Sequence, residues 1–281
     1  MADTLLLGAV AYDPKVVRIW DGFRAWFRDH DLPLDFVLYS NYERQVDDLV
    51  AGRVHVAWNS PLAWVRASRA AAAAGSGMRP IVMRDTDQDL RSVVVVRAES
   101  TVQKPGDLTG CTVATGAVDS PQASLIPLAY LAGLGVDVRT RRYDVGVGLH
   151  GDHIGGERDA ARALAAGTVD AALLLDASHL LFCNEGTLAP GGTRILAHTP
   201  PYDHCTMTAT DLAPRDLVDR FGALLLGMTY ADPRLRALFD LEGLTAWRPG
   251  RVTGYAALEA AVDRFGFYDA AGAITASEYS P

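Results

Sequence analysis

With 281 residues the chain is long enough to bury a substantial core and to divide into two lobes. Its 49% apolar and 21% charged residues exclude wholesale disorder. A formal charge of -8, with no basic run or stripe, excludes the phosphate backbone of nucleic acid as a partner, so any bound anion must be held by local donors and helix ends.

The first segment, Thr4–Ala11, reads as a strand, with no basic n-region, long apolar h-region or lipid-accepting cysteine ahead of it. The cytoplasm is the expected compartment, and the periplasm or cell surface is the alternative if an export signal has been removed. No apolar run reaches the length of a membrane span. Cys111, Cys183 and Cys205 are odd in number and widely spaced, which is neither a disulfide framework nor a CxxC site.

Strands and helices then alternate. A helix over 14–29 is predicted, with Asp13 as its cap and Pro14 in its first turn. Val16, Ile19, Trp20, Phe23, Trp26 and Phe27 recur at helical spacing along it and form an apolar face. A strand at 34–39, a helix at 42–51 closed by Gly52, a strand at 54–58 and a helix opened by Pro61 follow. Strands at 81–83 and 90–97 carry the chain into a second series: strand 111–115, helix 121–134, strand 136–143, helix 157–166 and strand 169–175. Strands at 193–198 and 205–209 bring it back, and helices near 214–229, 233–240 and 254–264 complete the first lobe. The small, polar tail after Phe267 is expected on the surface. The repeated units imply an α/β fold of two lobes, each a mostly parallel sheet flanked by helices. Lobe 1 takes 1–88 plus 206–281 and lobe 2 takes 89–205, with a ligand cleft between them.

In such sheets ligands sit beyond the carboxyl ends of the strands. That rule selects Tyr12, Tyr42, Asn59, Ser60, Ser120, Gln122 and Asp176 as ligand-binding candidates, with Ser178 beside the last. Ser60-Pro61 and Ser120-Pro121 each pair a capping hydroxyl with a proline at the first helical position, and a cap can also be a ligand donor. Trp58 and Trp64 are either core or stacking surfaces, and His55 is a core histidine.

Two constellations could carry chemistry. His150-Gly151-Asp152-His153-Ile154-Gly155-Gly156-Glu157 places His153 and Glu157 on one helix face if the helix starts early. It reads as a helix-capping loop, a ligand-contacting loop, or a metal site using His150 and His153. The second, Pro200-Pro201-Tyr202-Asp203-His204-Cys205, reads as ordinary hinge residues, a thiolate–imidazole pair or a metal site using His204 and Cys205. Neighbours in a strand point to opposite faces, so His204 and Cys205 are not expected to face the cleft together.

Three stretches resemble the phosphonate/phosphite-binding family of transporter solute-binding proteins. They are Asn41-Tyr42-Glu43 with the run from Leu49 to Ala63; Arg91 to Val96 with Asp107-Leu108-Thr109-Gly110, Val113-Ala114 and Pro127; and, more weakly, Gly167 to Ala172. The resemblance implies the type 2 periplasmic-binding-protein fold, and a cleft that binds a small polar, anionic ligand without turnover. It also implies a transporter permease as partner if the chain is exported. The chain departs from that family at two places. Where the family carries a Ser-Thr-Ser-Gly run, this sequence reads Ser120-Pro121-Gln122-Ala123, and Pro121 has no N–H to donate. Glu157 stands where the family has a histidine, and a carboxylate there repels a dianion unless protonated or paired.

The alternative is a cytoplasmic enzyme on the same fold, lyase-like or metal-assisted, in which His153, Glu157, His204 and Cys205 are the catalytic candidates. No cofactor is expected; a metal is the open possibility.

Overall fold

The computed structural model describes residues 4–144 and 153–281. The first series is β1 (Leu5–Val10), α1 (Lys15–Arg28), β2 (Leu34–Tyr39), α2 (Tyr42–Val50), β3 (Val56–Asn59), α3 (Pro61–Ala73) and β4 (Met78–Arg84). The second runs β5 (Ser92–Arg97), β6 (Thr112–Thr115), a wide turn at Pro121–Leu125, α4 (Ile126–Gly133), β7 (Arg139–Arg142), α5 (His153–Ala165), β8 (Ala171–Leu175), α6 (Asp176–Asn184) and β9 (Thr193–His198). The chain returns as β10 (Thr206–Thr210), α7 (Arg215–Gly227), α8 (Pro233–Glu242), β11 (Trp247–Pro249) and α9 (Ala256–Phe265).

Local chemistry explains several helix starts. The Asp13 carboxylate accepts the Lys15 N–H at 2.8 Å, Asn41 accepts from Arg44 at 3.0 Å, and Ser60 from Ala63 at 3.2 Å, with Pro61 in the first helical position. On α1 the stripe Val16, Ile19, Trp20, Phe23 and Phe27 is buried against Leu5 and Leu7 of β1, Phe221 of α7 and Trp247 of β11. Burying side chains of this size contributes about 1.5–3 kcal/mol each, which holds α1 to the sheet more firmly than helix propensity could.

The strands form two sheets, ordered β11-β4-β10-β3-β1-β2 and β7-β6-β8-β5-β9. β2, β1 and β3 run parallel in the first, and β7, β6 and β8 in the second. The expectation of mostly parallel sheets needs correction here: β10 is antiparallel to both its neighbours, and so is β5, making both sheets mixed. The cause is connectivity. β5 and β10 each begin where the chain has just crossed between the sheets, at the edge facing the cleft. They must therefore run away from it, against strands whose carboxyl ends point towards it.

The two crossings lie side by side. Leu90 and Tyr202 exchange backbone hydrogen bonds of 2.8 and 2.9 Å, and the His204 N–H donates to the Asp87 carbonyl at 2.8 Å. Arg251 clamps the return segment through Asp203, with both contacts at 2.6 Å, and reaches Asp89 at 2.8 Å. Gly254 is required beside it, because a Cβ there would lie 2.0 Å from the Asp203 carboxyl carbon.

One apolar cluster spans both lobes. Leu62, Trp64 and Val65 of α3 pack with Leu125 and Ile126, with Leu258, Ala261 and Val262 of α9, and with Phe267 and Tyr268. The tail after Phe267 therefore does not lie loosely on the surface as its composition suggests. Ile274, Ala276 and Tyr279 pack on this cluster, Tyr279 donates to Glu43 at 2.7 Å, and Glu278 pairs with Arg142 at 2.6 Å.

Candidate functional site

A cavity of about 530 Å³ lies between the sheets, lined by residues of both lobes and of the crossings. On the first-lobe side Tyr12 follows β1 and Tyr42 opens α2. Burial, the main cause, pushes both hydroxyls above their ordinary range, so they remain neutral donors. Lys15 stands 5.8 Å over the Tyr12 ring and makes no ion pair with any described residue.

Arg84 ends β4 on the cavity floor. Its Nε and Nη2 donate to the two oxygens of Asp87 at 2.5 and 2.8 Å, its Nη1 donates to the Glu242 carbonyl at 2.7 Å, and its guanidinium lies 5.4 Å from the Trp58 ring. Burial alone would raise the Asp87 pKa, but Arg84 and His204 hold it down at about 2. Glu242 has only a 3.5 Å contact to the same guanidinium. Burial, reinforced by Asp87 and opposed by Arg84, pushes it up to about 7.

His204 and Cys205 also face this cavity, with Nδ1 and Sγ 3.1 Å apart. This corrects the expectation of opposite faces. Both residues precede β10, where the chain is not pleated, so the alternation rule does not reach them. The Cys205 thiol is pushed well up by burial and by Asp87, the character of an unreactive cysteine when only protein surrounds it.

The second-lobe wall centres on Glu157, which is fully buried on α5. One carboxylate oxygen accepts from Gln122 Nε2 at 3.3 Å and the other from the Leu175 N–H at 2.8 Å. Burial pushes this carboxyl up; the Leu175 N–H, the Ser178 hydroxyl and the Gln122 amide work against that rise. Gln122 Oε1 is buried without a hydrogen-bond partner among the described residues. His153 Nε2 lies 3.4 Å from Asp119 Oδ1.

Of the residues selected from sequence, Tyr12, Tyr42, Ser60, Gln122, His153, Glu157, His204 and Cys205 line this one cavity. Asn59, Ser120 and Asp176 do not. The Asn59 side chain is fully buried, accepting from Gln45 at 2.8 Å and donating to Thr208 at 2.7 Å, so its amide joins β3 to β10. Ser120 is buried with its hydroxyl accepting the Ala123 N–H at 3.1 Å, and Asp176 is exposed on the first turn of α6. His150 lies outside the described residues. His153 stays with Asp119 and does not join His204 and Cys205. Sequence reasoning missed Lys15, Arg84, Asp87 and Glu242, whose charges carry no motif, and it missed the tail residues Tyr268 and Tyr279, which complete the lining.

Helical starts from both lobes open onto the cavity, among them Tyr42 and Glu43 of α2, Leu62 and Ala63 of α3, Pro121 and Gln122 of the wide turn, His153 and Ile154 of α5, and Ala177 and Ser178 of α6. Unpaired N–H groups at such starts favour negative charge. Two lobes joined by paired crossings around such a cavity define a binding-protein architecture. The profile described as "ABC transporter, phosphonate, periplasmic substrate-binding protein" matches residues 9–255, and the chain belongs to that family.

Solved structures agree on the fold. PhnD1 from Prochlorococcus marinus, in complex with methylphosphonate, is 16% identical with a TM-score of 0.66, over 94% of this chain and 98% of that one. XAC2383 from Xanthomonas citri, bound to ATP, is 18% identical with a TM-score of 0.68 over 94% and 98%. The periplasmic aliphatic sulphonate binding protein SsuA from Escherichia coli is 18% identical with a TM-score of 0.56 over 95% and 92%. No curated protein sequence matches the chain at a significant level. Among the described residues no helix is long and apolar enough to cross a membrane.

Proposed function

We propose that the cleft binds a small polar solute through an anionic end and presents it to the permease of a transporter. The observation that carries this is the opening of helix starts from both lobes onto one cavity, with Lys15 beside them. Ser60, Tyr12 and Tyr42 add hydroxyl donors from the first lobe, and the unpartnered Gln122 oxygen can accept from a donor on the same solute.

The second-lobe wall favours a singly charged or zwitterionic solute over a phosphonate dianion. Pro121 brings no N–H to its helix start, and the buried Glu157 carboxyl faces the cavity. Turnover draws no support from the same geometry, because both Glu157 oxygens are engaged by the lobe itself and the Cys205 thiol is pushed up.

The test is thermal unfolding across a panel of phosphonates, sulfonates, carboxylates and amino acids. A true ligand at a hundred times its Kd stabilises by about 2.7 kcal/mol, and no rise in melting temperature with any member would overturn the reading. Cell fractionation decides between the cytoplasmic placement expected from sequence and the periplasmic one carried by the family's description.

A further inference from the structure

We infer that Asp87, His204 and Cys205 form a binding site for a divalent transition metal of the zinc class, at the floor of the cleft and across the two lobe crossings. Asp87 belongs to the first crossing and the other two to the second. One ligand atom from each lies within 4.8 Å of the others: His204 Nδ1 is 3.1 Å from Cys205 Sγ and 3.4 Å from Asp87 Oδ1. Ligands about 2.0–2.3 Å from a shared tetrahedral ion stand roughly 3.3–3.7 Å apart, so the trio needs only small shifts to close on one. Nitrogen, thiolate and carboxylate together suit zinc or cobalt and not the oxygen-seeking calcium or magnesium.

The surroundings are those of a held site. The His204 N–H donates to the Asp87 carbonyl at 2.8 Å and its own carbonyl accepts from Tyr255 at 2.7 Å, which fixes the imidazole-bearing segment. Arg84 Nη2 occupies one lone pair of Asp87 Oδ1 at 2.8 Å and leaves another for the ion. Metal entry releases the thiol proton to solvent, and the new bonds are dative ones from Nδ1, Sγ and Oδ1. All three ligands line the cavity, so a fourth coordination position faces the cleft, where an oxygen of a solute or water can take it.

The site does not depend on the identity of the solute, and its test uses metal alone. Chelator-treated protein titrated with cobalt(II) is expected to take up one equivalent with an intense near-ultraviolet thiolate-to-cobalt absorption, displaced by zinc. The double variant Cys111→Ser/Cys183→Ser, in which Cys205 is the only thiol left, is expected to keep that absorption. Cys205→Ser is expected to abolish it, and His204→Ala to weaken cobalt binding by at least about tenfold. Absence of the absorption in the native protein, its loss in the double variant or its survival in Cys205→Ser would each overturn the inference. The solute panel is read separately on metal-free protein, so either result can fail alone.

Discussion

Arg84 and Asp87, three residues apart at the end of β4, face each other in a two-point ion pair of 2.5 and 2.8 Å, with Asp87 1% exposed. Breaking a buried pair leaves its partner charged and uncompensated, which costs about 3–5 kcal/mol. Asp87→Ala is therefore expected to lower stability by about that amount, read from the urea midpoint. A midpoint within error of the native one would show that water reaches Arg84 and the pair is not structural.

The neighbouring carboxyl gives a pH dependence of opposite sign. Glu242 titrates near 7 in the folded chain against 4.5 ordinarily, so between those values the native state holds a proton that the unfolded state has lost. Stability then falls as pH rises from about 4.5 to about 7 and is flat above. Asp87, held at about 2, contributes stability that is present above its ordinary 3.8 and lost as pH falls through 2. Glu242→Gln removes the first slope. It is expected to match the native protein at pH 4 and exceed it at pH 8 by roughly 3–4 kcal/mol, at about 1.4 kcal/mol per unit. Parallel stability curves for the two proteins between pH 4 and 8 would refute the assignment.

Much of the fold is legible in sequence because it depends on local periodicity. The α1 stripe at a spacing of about four, the continuous apolar run Val93 to Val96 and the proline-opened helix α3 announce themselves. Two elements leave no such mark: β11 is three residues long, and α6 exposes Leu180 and Leu181 and so has no apolar stripe. The site is less legible. Arg84 and Glu242 are 158 positions apart and meet only because β4 pairs with β11 just after α8 ends. Asn59 shows the opposite case: its place at a strand end suggests a ligand, whereas its amide bonds to Gln45 and Thr208 inside the fold.

That reading of Asn59 separates stability from binding. Asn59→Ala would remove one acceptor from the Gln45 amide and the donor to the Thr208 hydroxyl in a dry interior, while Gln45 keeps the Trp58 carbonyl and Thr208 the Ala57 carbonyl, at about 1–3 kcal/mol. The melting temperature is expected to fall while solute affinity, measured below the transition, is unchanged. A selective loss of affinity would return Asn59 to the binding site.

The tail makes a different demand. Tyr279 reaches Glu43 beside the cleft, its ring lies 5.1 Å from Phe267, and Glu278 pairs with Arg142 of β7. The last residues thus tie the first lobe to the second. Deleting 277–281 removes the Tyr279 packing on Phe267 and its hydrogen bond to the buried Glu43 along with the exposed Arg142–Glu278 pair, which itself contributes at most about 1 kcal/mol, and strips one wall from the cavity. The melting temperature is expected to fall, and calorimetric titration well below it to show at least a tenfold loss of affinity. Unchanged affinity would make the tail a surface strap alone.

Lys15 offers the sharpest check on ligand charge. It is the cavity-lining cation without an ion pair among the described residues, whereas Arg84 is already committed to Asp87 and Glu242. Lys15→Met keeps the aliphatic stem over Tyr12 and removes only the charge, so the fold should not change. If an anionic end of the solute sits near it, affinity should fall several-fold in the variant. The difference should also shrink as salt rises from 0.01 to 0.15 M, because the screening length contracts from about 30 to 8 Å. A loss that persists undiminished at high salt would mean a direct, desolvated contact. No loss at any salt would place the negative charge elsewhere, leaving the helix starts to hold it alone.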